Sequence, residues 1–363
     1  MSSVFFPVVQ GLAGLLHGVG SSPFLSGPAL LALTYAPDDV RNVILNLAGR
    51  MPNLQVAPSD IDFSTATTVL RVLFALGVVS RLNRAFNTMA ANSWRLTASK
   101  GWDWPNEIAV VTGGSSGIGK LIVEKLAALG VRVAVLDLQN IPEEMQKNDR
   151  IQFFKCDVTS SESVAKAAEA IRQEIGHPSI LVNNAGITSI FPILKIPESL
   201  LRKAFGVNTI SHWFTAQQFL PHMIQANKGH IVTVASIASF VALPTSAHYS
   251  ASKASALSFH ESLTCELKHC HKAPNVLTTV VHPNFVRTPL IKDFVGHLER
   301  SNLTMLTPDD VATPIVEQIK RRRGGPLIVP SWASPIAGIK AWPIWIQTVL
   351  QDGVGRMSSN LAH

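Results

Sequence analysis

From about residue 106 onward, short apolar runs rich in β-branched residues alternate with longer stretches of helical spacing. The runs are Ile108 to Thr112, Val131 to Asp137, Ile151 to Lys155, Ile180 to Asn183, Ile231 to Ala235, Val276 to Val281 and Leu327 to Val329. Runs without a polar face predict strands buried on both sides. Their alternation with helices predicts right-handed crossovers and a doubly wound α/β parallel sheet of about seven strands over 106–330.

The pattern before residue 106 is different. The first 37 residues contain no Lys, Arg, Asp or Glu, and two apolar runs, Val4 to Leu16 and Phe24 to Tyr35, flank Gly18, Gly20, Ser21, Ser22 and Pro23. Each run is about a dozen residues, against about 20 for a spanning helix. Residues 1–37 are therefore expected to form a re-entrant or interfacial membrane hairpin, with helices packed on the catalytic domain as the alternative. No basic segment precedes the apolar stretch, which argues against a secretory signal. Residues 38–105 read as a connector: a polar part with Asp38, Asp39, Pro52 and Pro58, then a helix from Thr67 to Asn87. The first half of that helix is apolar nearly all round, and Arg71, Arg81 and Arg84 suit either the lipid headgroup level or ordinary packing. After the last strand, residues 331–363 carry Trp332, Trp342 and Trp345 among isoleucines, a composition that favours a membrane interface. Lys320 to Arg323, followed by Gly324 and Gly325, end a helix expected to begin near Thr307 and Pro308, a role compatible with headgroup contact.

Composition sharpens this picture in two respects. Hydrophobic residues make up 47% of the 363 and charged ones 15%, so apolar surface beyond the core is expected. The net charge of +7 is accompanied by no basic stripe interleaved with aromatics. An anionic membrane surface accounts for the charge, and no nucleic acid partner is expected. Cys156, Cys265 and Cys270 are odd in number and at no zinc-ribbon spacing, so neither a disulfide framework nor a metal site is expected. Cys265, His269, Cys270 and His271 read as a polar helix end.

The first predicted strand is followed by Thr112-Gly113-Gly114-Ser115-Ser116-Gly117-Ile118-Gly119 and then a helix. In this strand-turn-helix context, missing side chains at Gly113, Gly117 and Gly119 let a pyrophosphate approach the backbone and sit on the helix N-terminus, as in a Rossmann-type dinucleotide site. Asp137 ends the second strand, 18 positions beyond Gly119. A carboxylate there accepts hydrogen bonds from both ribose hydroxyls and repels a 2′-phosphate, and Ser115, Ser116 and Leu138 offer no cation against that repulsion. NAD is expected over NADP. The simpler alternative is an Asp that ends a strand at a turn.

Tyrosine is nearly absent, with only Tyr35 and Tyr249. Tyr249 and Lys253 lie one helical turn apart on the same face. An ordinary phenol is a poor base at neutral pH, and each unit of lowering requires about 1.4 kcal/mol of differential stabilisation. The Lys253 ammonium, with a positive nicotinamide nearby, is expected to supply it. Ser236, at the end of the fifth predicted strand, could hold the substrate oxygen. Asn208, which the pattern reads as opening a helix, could hold a water that relays protons to Lys253. Singly each has a plain alternative as a cap, a turn or a surface residue; jointly and in this order they point to alcohol/carbonyl chemistry.

On these motifs, together with Asp157 after Cys156 and Asn183-Asn184-Ala185-Gly186, residues 106–330 resemble the short-chain dehydrogenase/reductase family. The resemblance implies that Asp157 and Val158 contact the adenine, that Asn183, Asn184, Ala185 and Gly186 support the central strand and cofactor, and that Lys253 also holds the nicotinamide ribose. It also places Pro283, Val286 and Thr288 at the cofactor, Thr288 toward its carboxamide, and implies a homodimer or homotetramer formed through the helices near Asn208 and Tyr249. Pro283-Asn284-Phe285-Val286 resembles the subgroup of retinol and hydroxysteroid dehydrogenases found on the endoplasmic reticulum and lipid droplets, with N-terminal hydrophobic anchors; a location on the cytosolic face of those membranes follows. Ser239 stands where many members have glycine.

Two segments are free to cover a substrate: Ile187 to Leu201, with Ile190, Phe191, Ile193 and Leu194, and Pro289 to Leu306, with Leu290, Ile291, Phe294, Val295 and Leu298. Apolar walls suit a steroid, retinoid, terpenoid or fatty alcohol/carbonyl pair better than a sugar. The competing readings are an NADPH-dependent ketoacyl-type reductase, which Asp137 argues against, and an idle membrane-bound scaffold, for which Asn208, Ser236, Tyr249 and Lys253 have no use.

Overall fold

The computed structural model describes residues 22–35, 37–39, 43, 63–95, 97–98, 100–292, 295–300 and 305–359. The chain divides into two compact units, Met1–Ala90 and Ala91–His363.

In the first unit, α1 (Pro23–Tyr35) and α2 (Phe63–Ala91, whose last residue reaches the second unit) meet where Gly27 faces Phe74. A Cβ on Gly27 would stand 3.0 Å from the Phe74 ring, so the missing side chain permits the approach. The Arg81 guanidinium lies 4.3 Å from the centre of the Phe24 ring, a cation–π contact. Phe24, Leu31, Tyr35, Val72, Leu76, Val79, Leu82 and Phe86 are all exposed. Among the described residues no helix is long and apolar enough to cross a membrane. The Val4 to Leu16 run and nearly all of the expected polar connector lie outside the described residues.

The second unit contains, in chain order, β1 (Ile108–Thr112), α3 (Gly117–Ala128), β2 (Arg132–Asp137), α4 (Glu143–Gln146), β3 (Ile151–Lys155), α5 (Ser161–Glu174), β4 (Ile180–Asn183), α6 (Glu198–Phe205), α7 (Ser211–Gln225), β5 (Gly229–Val234), α8 (Ala247–His269), β6 (Val276–Pro283), α9 (Val295–Arg300), α10 (Pro308–Lys320), β7 (Gly325–Val329) and α11 (Ile344–Ser359). The strands form one seven-stranded parallel sheet in the order β3-β2-β1-β4-β5-β6-β7. Every residue of β1, β4, β5 and β6 is buried, which is why these strands read as continuous apolar runs.

Helices cover both faces. On one, Ile122 and Leu126 of α3 and Val311, Ile315 and Ile319 of α10 pack on Val111, Val133 and Val135. On the other, Val164 and Ile171 of α5, Leu220 and Met223 of α7, and Leu263 and Leu267 of α8 pack on Val110, Leu136, Leu181 and Ile231. Full burial of each such side chain contributes about 1.5–3 kcal/mol, so the two layers fix the sheet and hold the carboxyl ends of its strands in place.

The expected end signals of α10 are present. The Thr307 hydroxyl accepts from Asp310 N–H at 3.2 Å, the Asp310 carboxylate accepts from Thr307 N–H at 2.8 Å, and Arg322 turns the chain at φ +56° beyond the last turn. Residues 92–95 belong with the sheet: Gly324 N–H donates to the Asn92 side chain at 2.9 Å, and Arg95 donates to Asn275 and to the Pro274 carbonyl. The segment between α6 and α7, Gly206–Ile210, is a π-turn, so Glu198 to Gln225 is one helical run with a bulge inside it. Asn208 thus lies within a helix, where the sequence pattern placed it at a helix start.

Candidate active site at the carboxyl ends of the strands

In an open parallel sheet, ligands bind beyond the carboxyl ends of the strands, where the order reverses. The reversal falls between β1 and β4, and the expected residues gather there. After β1 the chain turns through Gly113 at φ +63° and Gly117 at φ +56°, conformations that favour glycine. A Cβ on Gly119 would stand 2.1 Å from the Gly113 carbonyl oxygen and 2.5 Å from Asn184 Nδ2, so the start of α3 closes onto the turn only without a side chain. The Asn184 carboxamide donates to the Thr112 and Gly113 carbonyls, each at 3.0 Å, and the Thr112 hydroxyl accepts from the N–H groups of Asn184 and Ala185, also at 3.0 Å. Asn184 and Ala185 therefore brace the glycine turn. Thr112 braces it from the other side, a part that sequence reasoning did not assign to it.

Asp137 is held against the same turn: its carboxylate accepts from Ser115 N–H and from Gln139 N–H, each at 3.1 Å. Ser115 is buried and its hydroxyl donates to the Gln139 carbonyl at 2.7 Å, while Ser116 is exposed and Ile118 half-buried. Each Asp137 oxygen keeps a free lone pair for a further donor. The turn-holding role and the ribose-binding role are thus compatible in one residue. At the end of β3, Asp157 accepts from the Thr159 N–H and hydroxyl at 2.9 and 2.7 Å, next to buried Val158. Beyond β6, Thr288 lies across from Gly117, where an added Cβ would stand 3.3 Å from the threonine methyl, and its hydroxyl reaches the Val286 carbonyl at 3.3 Å. A cleft lined by main-chain N–H groups at a helix N-terminus, closed to any Cβ at Gly119, fits a dinucleotide pyrophosphate.

The remaining expected residues meet deeper in the cleft. Lys253 is buried, its ammonium donates to the Val234 carbonyl at 2.8 Å, and it stands 5.8 Å from the Tyr249 ring centre. Burial draws its pKa down to about 8, so it remains mostly charged at neutral pH. Tyr249 is half-buried, and desolvation pushes its phenol above the ordinary value, while a hydrogen bond with Ser236 pulls it part of the way back. Burial thus opposes the lowering expected from Lys253. The Ser236 hydroxyl accepts from Ala238 N–H at 3.1 Å and reaches the Pro283 carbonyl at 3.4 Å.

Asn208 is fully buried. Its Nδ2 donates to the Ile187 carbonyl and to Ser252 Oγ, each at 2.9 Å, and its Oδ1 accepts from Ile187 N–H at 2.8 Å. Both amide hydrogens are therefore taken, and the carboxamide locks the chain just after Gly186. A Cβ on Gly186 would stand 3.5 Å from both Asn208 Oδ1 and Lys253 Nζ, which places the three together. Two further groups belong here: Ser239, noted in the sequence only as standing in place of glycine, whose hydroxyl reaches the Ser236 and Lys253 carbonyls at 2.7 and 3.1 Å, and His282, which the sequence reading passed over, whose Nδ1 lies 3.0 Å from the Ser236 carbonyl.

The two apolar wall segments converge. Ile190 from the first packs with Phe285, Val295 and Met305 around buried Ile291, while Ile193 and Leu194 are exposed. Phe294 lies outside the described residues.

The sequence model of a family described as short chain dehydrogenase matches residues 107–297. Dehydrogenase RED2 of Cochliobolus heterostrophus is 38% identical over 217 residues, covering 60% of this chain and 81% of that one. Short-chain dehydrogenase/reductase family 16C member 6 of Bos taurus is 34% identical over 209 residues, 55% of this chain and 65% of that one. Estradiol 17-beta-dehydrogenase 11 of Homo sapiens is 36% identical over 193 residues, 52% and 64%. The matches thus span just under two thirds of the last two relatives. Among solved structures, a short chain dehydrogenase/reductase from Burkholderia phymatum in complex with NAD is similar with a TM-score of 0.59 at 24% identity, covering 68% of this chain and 97% of that one. A 4-hydroxyisoleucine dehydrogenase complexed with NADH gives 0.57 at 23%, covering 63% and 99%. At these identities the two structures show a common fold.

Proposed function

The chain belongs to the short-chain dehydrogenase family and resembles its retinol and hydroxysteroid dehydrogenase subgroup, and from that premise we infer that it interconverts a lipophilic alcohol and its ketone or aldehyde with NAD(H). The observation that carries this reading is buried Lys253, its ammonium 5.8 Å from the Tyr249 ring centre one helical turn away, beside a glycine turn that admits no Cβ at Gly119.

NAD, when bound, supplies the hydride acceptor for oxidation, and NADH the donor for reduction. Gly113 to Gly119 would hold its pyrophosphate, Asp137 the adenosine ribose, Asp157 and Val158 the adenine, and Lys253 and Thr288 the nicotinamide end. Tyr249 takes the proton from the alcohol oxygen in oxidation and returns it in reduction. Ser236 orients that oxygen and complements the charge that develops on it. Lys253, mostly charged at neutral pH, favours the ionised phenol, and Asn208 holds the Ile187 backbone in place. Ile190, Ile291 and the side chains around them supply an apolar wall, which suits a steroid, retinoid, terpenoid or fatty substrate. Turnover of full-length protein in detergent, screened over such alcohols with NAD and NADP, tests the reading; no NADH formation with any of them would sink it.

Asp137 makes a separate prediction about the cofactor. Replacing it with Asn removes the charge that opposes a 2′-phosphate and one of the acceptors offered to the ribose. Because loss of support for the turn affects both cofactors alike, the ratio is the informative quantity. The kcat/KM preference for NAD over NADP is expected to shrink at least about tenfold, the order of one hydrogen bond to a charged group. A parent enzyme that favours NADP, or a ratio that does not move, refutes the assignment.

The exposed apolar side chains of α1 and α2, the arginines of α2, and exposed Ile344 and Trp345 on α11 support attachment to the cytosolic face of endoplasmic reticulum or lipid-droplet membranes. The apolar groove of α7 and α8, lined by Trp213, Leu220, Ile224, Phe259 and Leu263, supports association with a second copy as a dimer or tetramer. Flotation with anionic vesicles and the mass in detergent by light scattering test these two proposals; protein left behind by the vesicles, or a monomer, removes the corresponding one.

A further inference from the structure

The carbonyl of Ser236 is held by more donors than the end of a strand requires. Ser239 donates to it twice, through its N–H at 3.0 Å and its hydroxyl at 2.7 Å, and His282 Nδ1 stands 3.0 Å away. A carbonyl only accepts, so the His282 ring is the tautomer with hydrogen on Nδ1. His282 lies within β6, is 1% exposed, and its ring centre is 4.4 Å from that of Phe240, the residue that closes the short loop after Ser236. Its neighbour in β6, Pro283, offers the carbonyl that the Ser236 hydroxyl reaches at 3.4 Å. Two consecutive residues of one strand therefore hold the two ends of Ser236: His282 its carbonyl and Pro283 its hydroxyl. A buried imidazole carries a desolvation cost that an apolar residue at the same strand position would not, and the bond to the Ser236 carbonyl offsets part of it. Burial keeps the ring neutral, with a pKa drawn down to about 4, and so it donates without adding charge beside Lys253.

Resting on the reading of Ser236 and Tyr249 as a catalytic pair, we propose that His282 is a positioning residue: its Nδ1–H fixes the Ser236 carbonyl and through it directs the Ser236 hydroxyl toward the Tyr249 phenol. The one hydrogen of the Ser239 hydroxyl lies within reach of both the Ser236 and Lys253 carbonyls, linking the serine loop to the helix carrying Tyr249.

The test compares His282→Leu, which removes the donor at similar volume, with His282→Asn, which keeps an N–H of comparable reach. For the Leu variant kcat on a lipophilic alcohol should fall on the order of 10²-fold, the consequence of about 1 Å of misplacement, with NADH affinity within about twofold of the parent. The Asn variant should recover to within about tenfold of the parent, and in a Ser236→Ala background the Leu change should lower the residual kcat less than about threefold, because the hydroxyl to be placed is gone. Parental kcat for a folded Leu variant overturns the proposal, as does an undiminished loss in the Ser236→Ala background. Should the Leu variant not fold, the Asn variant decides: activity near the parent supports the proposal, and a loss beyond 10²-fold on the same scale overturns it. A parent with no turnover fails the reaction itself, whereas an active parent beside an unaffected His282→Leu fails only this assignment.

Discussion

Tyr249→Phe is expected to lower alcohol oxidation on the order of 10²–10⁴-fold, the usual contribution of a positioned general acid/base, while NADH binding is retained. The substitution keeps the ring and its packing and deletes the hydroxyl assigned to proton transfer. Lys253 then has no anion to favour. The pH dependence follows from the same groups. Burial pushes the phenol up and Ser236 only partly offsets it. Oxidation needs the ionised phenol, a fraction that grows with pH; reduction needs the protonated phenol, a fraction that shrinks. The kcat/KM for oxidation should therefore climb from neutral pH into the alkaline range, and that for reduction should decline over the same range. Lys253 keeps its proton up to about pH 8, so its help is greatest below that value. Stopped-flow measurement of NADH formation by parent and variant checks both statements; a Phe variant at the parental rate would falsify the assignment of the proton to Tyr249.

Much of this site was legible because its residues obey local rules. The runs Ile108–Thr112, Ile151–Lys155 and Ile180–Asn183 match β1, β3 and β4 residue for residue, since strands buried by helices leave no polar interruption. The edge strand β7 was less legible: it begins at Gly325-Pro326, residues that read as punctuation, but an edge position tolerates a proline that an interior strand would not. Asn208 was recognised as a site residue while its setting was not, because nothing in Phe205-Gly206-Val207 signals a π-turn within a continuous helix. His282 and the hydrogen-bonding role of Ser239 escaped for a different reason. Their importance lies in hydrogen bonds to the Ser236 carbonyl, and those depend on the pairing of β5 with β6, Val234 opposite Val281, which no local pattern encodes. The phenol's direction of shift was likewise hidden, since spacing shows that a lysine is near but not how far burial opposes it.

Gly119→Ala is expected to weaken NADH binding by more than about 100-fold, the loss of about 2.7 kcal/mol of binding free energy. The added methyl has nowhere to go: it would stand 2.1 Å from the Gly113 carbonyl oxygen and 2.9 Å from the Gly113 carbonyl carbon. Both are main-chain atoms of the turn itself, so relief requires the turn to move as a body. The third neighbour, Asn184 Nδ2 at 2.5 Å, is the donor that braces the Thr112 and Gly113 carbonyls, so displacing it loosens the turn from the β4 side as well. Overpacking of this kind costs about 1–3 kcal/mol or more in stability, so the melting temperature should fall together with affinity. Gly353 in α11 provides the contrast, because an added Cβ there meets nothing within 4 Å. Gly353→Ala should bind NADH like the parent and melt no lower, since alanine is favoured over glycine in a helix by roughly 0.8–1 kcal/mol. NADH fluorescence titration and thermal melts of both variants separate a specific closure of the cofactor turn from a general intolerance of added methyl groups. Parental NADH affinity in Gly119→Ala would mean that the turn does not carry the pyrophosphate, and the dinucleotide would have to be placed elsewhere on the sheet.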